Sequence, residues 1–151
     1  MYGVDGKKLS SWYKYFLSCY QGWEQLHHAS EYVLFKENLG ERLSMDETSL
    51  SQGELYTIIT NKSAHGGKGS LVAMIKGTKS EDVIYYLNHL PRTKRLKVKE
   101  ITIDLSPSMR LIAKQAFPNA TIVSDRFHVQ KLMNEAVSDL RVDFRWQAID
   151  Q

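Results

Sequence analysis

The sequence predicts an α/β fold, in which a mixed five-stranded sheet of three antiparallel strands followed by βα units is flanked by helices and preceded by an N-terminal helical arm. Three observations carry this expectation. Apolar and polar residues alternate over 41–49, as in a strand with one buried face. Two runs rich in β-branched residues, ELYTIITN and SLVAMIKG, are joined by NKSAHGGKG, whose glycines suit a hairpin connection. From Ser80 onward helical and strand-like patterns alternate, and parallel strands require crossover helices of this kind.

In chain order, Trp12, Tyr15, Phe16, Cys19, Trp23 and Leu26 recur at spacings of three and four, so residues 1–40 are expected to form the helical arm, closed by Leu39-Gly40. Residues 41–151 are expected to form the domain. Its first strand sets Leu43 and Met45 against Ser44, Asp46 and Thr48. Ser80 and the acids after it resemble a helix start, and Pro91 ends that helix. The run EITIDLS is a strand ending at an acid, PSMRLIAKQAF a helix begun by proline after Ser106, and ATIVSD a further strand. Helical periodicity then returns over 126–144 through Phe127, Leu132, Met133, Ala136, Val137, Leu140 and Phe144.

An apolar content of 42% in 151 residues supports one domain with a real core. The single Cys19 excludes an internal disulfide, and no signal-peptide pattern opens the chain, so an intracellular protein is expected. The apolar run LVAM falls far short of the roughly 20 residues that span a bilayer, and no membrane partner is expected. A formal charge of +3 is compatible with nucleic acid without demanding it, which leaves the decision to local clusters.

Asp46 on the first strand and Asp104 at the end of the fourth would meet at one sheet edge if those strands are parallel neighbours. Hard Mg²⁺ or Mn²⁺ ions favour oxygen ligands, and phosphodiester displacement uses two such ions about 3.5–4 Å apart. The plainer readings are a solvated strand residue and a turn-forming acid before Ser106-Pro107. Glu47 would point to the opposite face from Asp46, which makes it the poorer ligand. In SDRFHVQ, Asp125 can cap the following helix while His128, one turn on, shares its side.

Arg92, Lys94, Arg95, Lys97 and Lys99 crowd into eight residues, either a phosphate-binding track or a solvated link. Lys62, His65 and Lys68 at the hairpin tip carry the same ambiguity. The run Gly66-Gly67-Lys68-Gly69-Ser70 lacks phosphate-loop spacing and precedes a strand, which argues against ATP binding. His27 and His28 have no cysteine or third histidine nearby to complete a zinc site, and the arm's Trp12 and Trp23 are expected to pack.

The stretches SMDETSLSQGELYTIITNK, ITIDLSPSM and FPNATIVSDRFHVQKL, taken in this order, resemble the DDE transposases of bacterial insertion sequences, ISL-three group, from about residue 30 onward. The resemblance implies a ribonuclease-H-like fold and metal-dependent DNA strand cleavage and strand transfer in transposition. Its first two catalytic acids match Asp46 and Asp104, with Mg²⁺ or Mn²⁺ as a two-metal site, and Asp125-x-x-His128 matches a D-x-x-H signature shaping that site. It further implies DNA partners at element ends and target, a homo-oligomer at full length, and a cytoplasmic, nucleoid-associated location. The family's third acid is a glutamate beyond a helical insertion, and the chain ends at Gln151 within what resembles that insertion's first helix. The expectation is therefore the N-terminal part of a catalytic domain, truncated and inactive alone. The alternatives are a catalytically dead DNA-binding or assembly remnant, and a small nuclease using Asp139, which lies 35 positions after Asp104.

Overall fold

Successive side chains of a strand point to opposite faces, so the alternating runs of this chain build a sheet with one apolar side. The computed structural model describes residues 5–50 and 53–149; the outermost residues of the predicted arm and domain, 1–4 and 150–151, and loop residues 51–52 lie outside the described residues. Strands β1 (Tyr32–Leu34), β2 (Arg42–Ser49), β3 (Leu55–Asn61), β4 (Leu71–Lys76), β5 (Glu100–Ile103) and β6 (Thr121–Ser124) form one sheet in the order β1-β4-β3-β2-β5-β6. The pairs β1 with β4, β4 with β3 and β3 with β2 are antiparallel, whereas β2 with β5 and β5 with β6 are parallel. The expected hairpins and crossovers are present. The sheet has six strands where the sequence suggested five.

The sixth strand arises from the segment expected to be helical. Among the described residues only α1 (Gly6–Trp12) is an α-helix there, followed by a π-helical turn at Tyr13–Leu17 and a 3-10 turn at Cys19–Gly22. Ser18 breaks the helix with extended dihedrals, φ −109° and ψ 158°, and its hydroxyl accepts from the Tyr20 amide. Trp12, Tyr15, Phe16, Cys19, Trp23 and Leu26 therefore do not share one helical face. A tertiary gain overrides the local periodicity, because the outer edge of β4 has unpaired backbone groups that β1 satisfies through Tyr32, Val33 and Leu34. The Gln25 carboxamide then covers the far side of β1, its Nε2 donating to the Leu34 carbonyl at 2.8 Å and its Oε1 accepting from the Leu34 amide at 2.7 Å. One side chain thus takes the place of a further strand.

Helices α2 (Ser80–Leu87) and α4 (Pro107–Ala116) cover one face of the sheet. Leu43, Met45, Ile59, Ile75, Ile101 and Ile103 from the strands pack in one buried cluster with Val83, Leu87, Met109, Ile112, Ala116 and Phe117. Each fully buried Leu, Ile or Phe side chain contributes about 1.5–3 kcal/mol. On the other face Ser44, Ile58, Thr60 and Met74 are only half-buried and Asp46 is exposed. Helix α5 (Arg126–Ile149) has no buried residue, and its Leu132, Met133, Val137, Leu140 and Phe144 are exposed. No helix among the described residues is long and apolar enough to cross a membrane.

The basic link contains a short helix, α3 (Arg92–Arg95), and within it Arg95 departs from the expected phosphate-binding set. Arg95 is only 9% exposed; its Nε donates to the Leu90 carbonyl at 3.2 Å and its Nη1 to the Ala116 carbonyl at 2.7 Å. The guanidinium ties the end of the α2 segment to the end of α4, so it has no free face for a phosphate. Burial first, and the positive charge of Arg92 second, push its pKa below the ordinary guanidinium value. Arg95→Ala is expected to destabilise the fold by about 2–3 kcal/mol in urea denaturation, because two buried carbonyls lose their donor. A change below about 0.5 kcal/mol, the scale of an ordinary surface substitution, would count against this role.

Candidate active site at the carboxyl ends of the parallel strands

The parallel register decides where the acids fall. Ser44 stands opposite Thr102 in the last pair of β2 with β5, and continuing that register by two residues would set Asp46 beside Asp104. Ile103 stands opposite Ser124, and the Asp125 amide donates to the Ile103 carbonyl at 2.7 Å, so the next step sets Asp104 beside Asp125. Extended beyond the last paired residues of β2, β5 and β6, this register would line up Asp46, Asp104 and Asp125 in one row, with neighbouring strands about 4.8 Å apart. By alternation the row belongs to the face with Ser44 and Thr102, opposite Leu43, Met45, Ile101 and Ile103, which pack in the core. Asp104 and Asp125 follow the carboxyl ends of β5 and β6, the usual ligand position in open α/β sheets, while Asp46 lies past the part of β2 that pairs with β5.

Each aspartate has one carboxylate oxygen held by a nearby backbone amide, Asp46 within β2 and Asp104 and Asp125 in the turns that follow β5 and β6. Oδ1 of Asp46 accepts from the Glu47 amide at 2.8 Å, Oδ1 of Asp104 from the Ser106 amide at 2.8 Å, and Oδ1 of Asp125 from the Phe127 amide at 2.9 Å. These bonds restrain the carboxylates and leave the second oxygen of each without a hydrogen bond among the described residues. Asp125 also caps α5, since its carbonyl accepts from Val129 at 3.2 Å. His128 is half-buried one turn into α5, with its ring edge-on to Phe127 at 5.7 Å and no hydrogen bond to the row among the described residues.

Glu47 belongs to this site more closely than strand alternation suggested. Its carboxyl pKa is raised, by burial first, then by the charge of Asp104 and then by that of Asp46. The donor set fits a hard divalent cation, being oxygen-rich and anionic. Among the described residues, however, no three His, Cys, Asp or Glu side chains already converge in a metal-ligating arrangement.

The other candidates separate. Lys62 folds back from the hairpin onto β5, its Nζ 2.9 Å from the Thr102 hydroxyl and 3.2 Å from Glu100 Oε1, which sets a cation on the face that carries the row. No short-range pattern signals a contact 40 positions apart. Arg92, Lys94, Lys97 and Lys99 are exposed; Lys99 pairs with Glu41 at 2.8 Å and Lys94 donates to the Lys36 carbonyl at 2.8 Å. Asp139 is 14 residues beyond Asp125 along the unbroken α5, about 21 Å at helical rise, and cannot share a ligand with Asp104.

A family model described as Transposase, the ISL3 type of the DDE class, matches residues 43–151, a span containing all three aspartates. No curated protein matches the chain.

Charge crowding makes a stability prediction. A carboxyl whose pKa is raised in the fold favours the protonated form there, so above the ordinary Glu range its ionised form costs stability. Because Glu47 is partly exposed, Glu47→Gln is expected to gain only about 0.5 kcal/mol, or about 2 °C in Tm, at neutral pH with EDTA. A lower Tm would show that Glu47 is held by favourable contacts and not by repulsion.

Proposed function

The chain belongs to the ISL3 family of transposases, and we propose on that basis that it carries metal-dependent phosphodiester chemistry on DNA in a ribonuclease-H-like setting, with Asp46 and Asp104 as the paired carboxylates. The observation that supports this reading best is the parallel pairing of β2, β5 and β6, whose extended register would align Asp46, Asp104 and Asp125. A divalent cation such as Mg²⁺ or Mn²⁺ held between Asp46 and Asp104 would supply Lewis-acid stabilisation of the attacking and leaving oxygens. The protein's part is positional. The Glu47 and Ser106 amides each hold one carboxylate oxygen, of Asp46 and Asp104 respectively, leaving the other oxygen for the cation, and Lys62 places a positive charge beside Thr102 on β5.

Asp125 and His128 shape the far side of the row. Asp125 fixes the start of α5, and His128 follows one turn later, within reach of a phosphate lying over the strand ends. The basic residues Arg92, Lys94, Lys97 and Lys99 provide the phosphate track, whereas Arg95 is reserved for the fold. Cleavage and strand transfer then share one requirement, which is that a phosphodiester lie across the ends of β2 and β5.

Two experiments test this reading. Asp46→Ala and Asp104→Ala are each expected to weaken Mn²⁺ binding at least about tenfold in isothermal titration and to abolish any Mn²⁺-dependent nicking of plasmid DNA. Unchanged Mn²⁺ affinity in both variants would overturn the assignment. For the track, Arg92→Ala and Lys97→Ala are each expected to reduce the slope of log Kobs against log salt by about 1 in DNA-binding titrations. An unaltered slope would remove those residues from the DNA contact.

A further inference from the structure

A cavity lies away from the aspartates, between the N-terminal segment and the outer edge of the sheet. It encloses about 820 Å³, within the roughly 300–1,000 Å³ of small-ligand sites. Tyr13, Tyr20, Trp23 and Phe35 are among its lining residues. The Trp23 and Phe35 rings are nearly parallel, 12° apart in plane with centroids at 6.4 Å, and Tyr20 leans on Trp23 at 6.4 Å. The floor is held in place, because Gln25 is bonded through both ends of its carboxamide to Leu34.

Charge at the cavity narrows what it can hold. Lys14 lies over the Tyr20 ring at 5.7 Å, and Lys36 lines the rim. The Lys36 carbonyl accepts from Lys94 Nζ at 2.8 Å, which joins the rim to α3 and to the exposed Arg92 and Lys97 beyond it. Glu24 and Glu37 also line the cavity and can accept from exocyclic amino groups. A flat aromatic ring bearing amino donors, attached to an anionic backbone that follows the basic segment, answers each of these features. A lipid tail offers no donors to Glu24 and Glu37, and an isolated anion leaves the rings unused.

We propose that this aromatic cavity receives a single unstacked nucleobase of DNA while the strand's phosphates lie along Lys36, Lys94 and Arg92. The inference rests on the reading of DNA as the partner and extends it to a second contact, on β1. From there to Asp46 on β2 is three strand spacings, about 14 Å across the sheet. A base held at β1 thus positions a strand whose continuation reaches the row.

The test uses duplexes with one extrahelical 2-aminopurine, the same duplexes with an abasic residue at that place, and fully paired controls. Base-bearing DNA is expected to bind about tenfold more tightly than abasic DNA, with 2-aminopurine emission quenched by stacking. Trp23→Ala should erase that preference and leave affinity for paired duplex within about twofold, whereas Trp23→Phe retains it. If Trp23→Ala loses its fold by circular dichroism, Tyr13→Ala serves instead, because Tyr13 is 60% exposed. Equal affinity for base-bearing and abasic DNA, or a preference that survives the alanine variants, overturns the cavity proposal while salt-dependent duplex binding leaves the DNA reading standing. Failure to bind any of the three DNAs overturns both.

Discussion

The parallel pairing of β2, β5 and β6 is the constraint on which the candidate site depends. Backbone hydrogen bonds between these strands, and not contacts among the acids, determine which residues stand side by side. A slip of one residue in either pairing would turn an aspartate toward the helices α2 and α4. Register is held by burial on the other face, where Leu43, Met45, Ile101 and Ile103 are at most 1% exposed. Core packing on one side of the sheet therefore sets the chemistry available on the other.

Local turns complete what register begins. An aspartate side chain is free to rotate unless something holds it, and here the backbone amides of Glu47, Ser106 and Phe127 each donate to one carboxylate oxygen. The same bonds stabilise the start of α5 and the turn before α4. A structural cap and a site residue are thus one and the same group at Asp125. The cost is electrostatic, since like charges gather at one edge with Glu47 among them.

At the opposite edge of the sheet a different device operates. Strand β1 has only three residues, and its exposed side is covered by the amide of Gln25. Pairing to β4 and this side-chain cover hold the N-terminal aromatic segment against the sheet, and the cavity lies between them. Arg95 plays a comparable part beneath the basic segment, trading a surface charge for two buried carbonyl contacts. Its neighbours Arg92 and Lys94 remain outside because a helix as short as α3 turns only one of its basic residues inward.

Much of this was legible in the chain itself. Alternation identified β2 to β6, proline and glycine marked their limits, and the spacing of acids identified Asp46, Asp104 and Asp125 as candidates. These signals are local, arising from side chains at period two or 3.6 along a segment. By itself the sequence determined the strands, the crossover helices and the kinship with transposases carried by their order. Only tertiary structure decided that residues 32–34 join the sheet, that Arg95 turns inward, that Lys62 reaches Thr102, and that Asp139 lies out of range. Each of those outcomes depends on a backbone edge, a buried carbonyl or a helix direction supplied by residues distant in sequence, which no window along the chain contains.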